Sequence, residues 1–152
     1  MTKKTRPSSV SRPAPGEEPA TLHLALHRAG YLRQLKRRVA TESKQRNDDL
    51  SLAGGFGVPY WTLATLYLAC LHTAIEGWRS VGASDPSVDS LLGDSARCDR
   101  LAHLRNGVFH FGAIDSADVL DVIGDRDMLR WADRLYTALA VALSAVPPET
   151  AT

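Results

Sequence analysis

The segment 59–78 limits what this chain can fold into more than any other stretch. Pro59 is followed by Leu63, Leu66, Tyr67, Cys70, Leu71, Ala74, Ile75 and Trp78, which keep the i, i+3, i+4, i+7 spacing of one helical face for about five turns. Proline suits the first turn of a helix, where its missing N–H is not needed. The spacing therefore predicts a helix from about Pro59, with an apolar stripe wide enough to sit at the centre of a core. Cys70 lies within the stripe and reads as a buried, inert thiol. A helix of this kind must be covered by other elements.

The rest of the chain supplies helices to do so. From about Ala20 to Ser43 helix formers dominate, with Leu24, Tyr31, Leu32, Leu35 and Val39 near one stripe. Arg33, Lys36, Arg37 and Arg38 form a basic surface on its second half, either a solvated charged face or a contact for phosphates. Lys44 to Gly57 contains turn formers and three glycines and reads as a long loop. Asp85-Pro86 resembles a cap followed by a first-turn proline, which predicts a short helix through Leu91 or Leu92.

Ser95 starts a further helix with Leu101, Leu104, Val108 and Phe111 as its apolar face, weakened towards its end by Gly107 and Gly112. Asp115, with Asp118 three residues on, makes an imperfect capping box for a short helix to about Ile123. Beyond Gly124 and Asp125, Met128, Ala132, Leu135, Tyr136, Leu139 and Leu143 share a stripe that ends before Pro147-Pro148 and is expected to pack on the second helix. No β-period alternation or internal repeat appears. The expectation is an all-α fold, an up-and-down helical bundle of four main helices plus one or two short helices.

Composition narrows the function. At 152 residues the chain is about one domain, and its formal net charge of +1 argues against a histone-like polycation. Any nucleic-acid contact must then be local. Cys70 and Cys98 lack a C-x-x-C spacing, so neither a zinc site nor a disulfide framework is indicated and a reducing cytoplasm fits best. No run of about 18 apolar residues predicts a membrane span, and the basic N-terminus has no apolar stretch of the secretory type behind it. Residues 1–18, rich in Lys, Arg, Ser and Pro, are expected to be a disordered tail, 19–147 a helical bundle domain, and 148–152 a C-terminal tail. The tail cations Lys3, Lys4, Arg6 and Arg12 either add weak, salt-sensitive affinity for RNA or have no role.

The chemistry-bearing stretch is Leu104-Arg105-Asn106-Gly107-Val108-Phe109-His110-Phe111-Gly112. On an ideal helix, at about 100° per residue, Leu101, Leu104, Val108 and Phe111 share the buried arc, whereas His103, Asn106 and His110 lie within about 60° of one another opposite it. Arg105 is turned about 140° from His110. One regular helix therefore cannot aim both at the same phosphate. Either the helix distorts at Gly107, or two copies meet across a two-fold axis and share their sites. The plainer alternative is that Arg105 pairs with an acid such as Asp99 or Glu76 while His110 bonds the last carbonyls of its helix.

Arg105-Asn106-Gly107-Val108-Phe109-His110 resembles the R-x4-H signature of HEPN domains, including the polar residue after the arginine. The helix count and the late position of the motif are similar too. The resemblance implies a metal-independent endoribonuclease, of the kind found as toxins or antiphage effectors, working as a homodimer with the motif near the interface. It implies RNA as substrate, no cofactor, no metal, and a nucleotidyltransferase-like antitoxin as a partner. By the same resemblance His110 is the acid/base, Arg105 the phosphate ligand and Asn106 the orienting polar group. Other members of the family are non-catalytic RNA-binding or assembly domains.

The residue types suit that chemistry. Metal-free RNA cleavage needs the 2′-OH deprotonated and the leaving 5′-oxygen protonated, and histidine does either near neutrality. Arginine keeps its proton and offers a fork of donors to phosphate. Elsewhere His72 and Glu76, four apart, can ligate a metal only with a third group. Trp61, Trp78 and Trp131 are either base-stacking platforms or core.

Overall fold

The computed structural model describes residues 18–50, 57–109 and 116–144. Among them six helices form an all-α, up-and-down bundle and no strand occurs. The main helices are α1 (Glu18–Arg46), α2 (Gly57–Ser80), α4 (Ser95–Phe109) and α6 (Arg126–Ser144), and the short ones are α3 (Pro86–Leu92) and α5 (Ser116–Gly124). Residues 1–17 of the expected tail 1–18, the whole of the expected tail 148–152, Asp115 with its cap, and His110, Phe111 and Gly112 lie outside the described residues.

Named contacts give the directions. Leu22 of α1 lies against Gly77 of α2, where an added Cβ would come within 3.1 Å of the leucine Cβ. Lys36 sits over the ring of Tyr67 at 4.9 Å. As α1 advances α2 recedes, so the two are antiparallel and close-packed. In the same way Gly30 meets Tyr136 and Arg33 meets Asp133, which sets α6 antiparallel to α1. The stripe of α2 is central as expected: Tyr67, Leu68, Leu71, Ala74 and Ile75 are fully buried, joined by Leu101 and Leu104 of α4 and Leu135 and Leu139 of α6.

The helix ends follow local chemistry. α1 runs three residues past Ser43 and stops where Asn47 adopts a left-handed conformation (φ 58°). There the Asp48 N–H bonds back to the Ser43 carbonyl at 2.9 Å, the six-to-one closure typical of a helix C-terminus. The expected loop is shortened from both sides, because α2 opens at Gly57 with Pro59 still in its first turn. Asp85 caps α3 as expected, accepting from the N–H groups of Ser87 (2.9 Å) and Val88 (3.1 Å). For α4 the cap is Asp94, whose carboxylate accepts from the Arg97 N–H at 3.1 Å. α6 contacts α2 through Tyr67 but also lies along α1 and α3, where the Trp131 indole N–H donates to the Leu91 carbonyl at 3.2 Å. No helix among the described residues is long and apolar enough to cross a membrane.

Candidate functional site

Arg105 and Asn106 stand one turn before the end of α4, which stays α-helical through Gly107 to Phe109. Leu101 and Leu104 are buried, His103 and Asn106 are exposed, and Arg105 lies between. That is the order the wheel predicts. The guanidinium of Arg105 donates through Nη1 to Asn106 Oδ1 at 3.0 Å, and its Nη2 lies 3.3 Å from Glu76 Oε2 on α2. Glu76 is four residues after His72, whose Nδ1 lies 3.6 Å from the same oxygen. One carboxylate thus stands between a permanent cation and a titratable ring.

Burial differs along this row. The Arg105 side chain is 30% exposed and that of Glu76 49%, so the pair is screened by water and its coupling is modest. His72 is buried, and among the described residues its Nδ1 has no hydrogen-bond partner, nor has the buried Nε of Arg105. Burial pushes the His72 pKa down, and the charges of Arg105 and Arg79 push the same way against the opposing pull of Glu76. The ring is therefore held towards its neutral form. Among the described residues no group of three His, Cys, Asp or Glu side chains is placed to hold a metal ion. The third neighbour of the His72–Glu76 pair is the Arg105 cation rather than a ligand.

The remaining candidates separate. His110 lies outside the described residues. His103 approaches Asp118 of α5 at 3.7 Å, on the side of α4 that carries Arg100 with its partners Asp121 and Asp125. Trp78 and Trp131 are buried in the core, and Trp61 is half-buried with its indole N–H donating to the Leu50 carbonyl at 3.0 Å. Cys70 is only half-buried, and burial raises its thiol above the ordinary range.

The basic surface expected on α1 is largely spoken for. Lys36 is buried, and Arg33 and Arg37 both pair with Asp133 of α6 at 2.8 and 3.1 Å. Tyr67 completes this hub, its hydroxyl donating to the same Asp133 at 3.0 Å. Periodicity places Asp133 beside the α6 stripe but does not name its partners on two other helices.

No family model matches this chain, and neither a curated protein nor a solved structure does. The likeness to HEPN domains thus stands on the Arg105 to His110 spacing and the all-helical frame around it.

Proposed function

We propose that this chain is a metal-independent endoribonuclease of the HEPN type, acting as a homodimer with its motif near the subunit interface. The observation that supports this most is the setting of Arg105, a fixed cation at the solvent edge of the α2–α4 seam, oriented by Asn106 on a helix that continues unbroken through Gly107. Among the described residues α4 stays helical through Gly107 to Phe109, without the break at Gly107 that sharing one phosphate within a single copy would call for, which supports a second copy as the source of the complementary group. In this reading one His110 takes the 2′-OH proton as the oxygen attacks phosphorus. The partner's His110 gives a proton to the departing 5′-oxygen, and Arg105 stabilises the charge at phosphorus. The resemblance extends the proposal to a toxin or antiphage effector with a nucleotidyltransferase-like antitoxin as partner.

The test is cleavage of RNA in EDTA by the purified protein, with oligomeric state followed by light scattering. His110→Ala and Arg105→Ala are each expected to abolish cleavage while the helical content and the dimer persist. Unchanged cleavage in both variants overturns the reading. A second reading, a non-catalytic RNA-binding or assembly domain of the same fold, is favoured by the Glu76 carboxylate already facing Arg105. Tight RNA binding with no cleavage over long incubation selects it.

A further inference from the structure

On the side of α1 that packs against α6, away from α2's seam with α4, a groove of about 640 Å³ opens between α1, α3 and α6. Arg33 and Arg134 line it together with the hydroxyl residues Ser87, Ser90 and Thr137, and Leu91, Ala138 and Val141 supply an apolar stretch. Two acids, Asp85 and Asp133, also reach it, but both are engaged. Asp85 is occupied by the two N–H groups that it caps. Asp133 accepts from Arg33, Arg37 and Tyr67, with the buried Lys36 beside them over the Tyr67 ring.

Two arginines from a single turn of α1 therefore pair with one carboxylate, and Lys36 stands behind them. Asp133 is over-neutralised, and a positive surplus remains behind the groove. Arg33 gives only its Nε to Asp133 and lays its guanidinium over the Tyr136 ring at 4.9 Å, which leaves its Nη groups for a ligand, and among the described residues Arg134 has no ion-pair partner. Val141, on the same lining, is 63% exposed, a large apolar side chain left in water. Donors, positive charge and apolar surface lining one groove are what a phosphorylated ring compound requires, and the volume lies within the usual range for such ligands.

We propose that this groove binds a nucleoside monophosphate. The phosphate is held by Arg33 and Arg134 with the serine hydroxyls, and the nucleoside lies over Leu91 and Val141. The site is independent of the Arg105 motif, which sits across the bundle on the α2–α4 seam.

Calorimetric titration of the full chain with AMP, adenosine and inorganic phosphate, at one ionic strength, tests it. AMP is expected to bind and to raise the melting temperature, with adenosine and inorganic phosphate each weaker by about tenfold or more, the worth of a lost charge-assisted contact or of the ring's burial. Arg134→Ala and Val141→Ser, both exposed positions, should weaken AMP binding without loss of helical content, and Arg105→Ala should leave it unchanged. No AMP binding at millimolar concentration overturns the proposal, as does an Arg134→Ala variant that binds AMP like the parent. Equal affinity for inorganic phosphate removes the nucleoside from the site. Loss of binding in Arg105→Ala assigns the ligand to the motif instead, whatever the outcome of the cleavage assay.

Discussion

Asp133 Oδ1 accepts from Arg33 Nε at 2.8 Å and from the Tyr67 hydroxyl at 3.0 Å, so a single oxygen on α6 ties together α1 and α2, the two longest helices. Burial alone would raise this carboxyl, but the Arg33 hydrogen bond and the charges of Lys36 and Arg33 outweigh it and hold the group below its usual range. The same environment drives the Tyr67 hydroxyl far upward, chiefly by burial. The hub is polar, largely satisfied and set at the edge of the core, with Asp133 27% exposed.

Removing its acceptor strands a partly buried guanidinium and a buried hydroxyl. Asp133→Ala is expected to cost about 2–3 kcal/mol, below the figure for a fully buried pair because both partners keep some water. Tyr67→Phe should cost about 1 kcal/mol, one hydrogen bond's worth. Arg37→Ala, at a side chain 57% exposed, should cost less than about 1 kcal/mol. Urea unfolding measures all three, and a change under about 0.5 kcal/mol in Asp133→Ala would show the hub to be incidental.

Helix existence was legible because apolar spacing is a local property. Pro59 to Trp78, Asp85-Pro86 and the stripe from Met128 to Leu143 each announce an element, and each element is there. The hub was not legible. Arg33, Lys36 and Arg37 at i, i+3 and i+4 look like a solvated basic face until α6, about a hundred residues later, brings Asp133 against them. The site was half legible: the wheel exposed His103 and Asn106 and turned Arg105 aside, and Glu76 was one of the acids foreseen as its partner. What faces Arg105 is decided by how α2 and α4 pack, which periodicity does not fix.

A second stabilising junction lies at Asp125. Its Oδ1 accepts from the N–H groups of Asp127 (2.8 Å) and Met128 (3.0 Å) at the start of α6, and its Oδ2 accepts from Arg100 of α4 at 2.8 Å. Arg100's hydrogen bond leads the causes that hold this carboxyl below its usual range. Asp125→Ala should cost about 1–2 kcal/mol, mostly as a lost cap. The contribution is present above the ordinary carboxyl pKa and disappears as pH falls through the folded value, so parent and variant should converge in stability at strongly acidic pH. Denaturant curves from neutral pH downward check this.

At the candidate site, Glu76→Gln removes the negative charge facing Arg105 and keeps the side chain's shape. In the proposed ribonuclease site the guanidinium would then meet phosphate without a competing carboxylate. RNA affinity should rise by up to about fivefold, the worth of an exposed ion pair, with the effect fading at high salt. Filter binding at two salt concentrations measures it. Weaker binding in Glu76→Gln would mean that the carboxylate positions Arg105 for RNA instead of competing for it.

His72 gives the clearest pH signature. Its folded-state pKa lies below the ordinary value of 6.5, burial being the first cause, with Arg105 and Arg79 reinforcing it and Glu76 opposing. Below that ordinary value the unfolded chain takes up the proton before the folded one does. The stability associated with a neutral His72 is thus fully present above pH 6.5 and falls as the solution is acidified towards the folded-state pKa. His72→Phe, which keeps a ring of similar size in the buried position and cannot titrate, should lack this loss. The stability difference, parent minus variant, should therefore decline from neutral pH down to about 5.5, above the range where carboxylates dominate. A difference that is flat over that window would place His72 in contact with water; one that grows on acidification would mean that Glu76 wins over burial and holds the ring protonated.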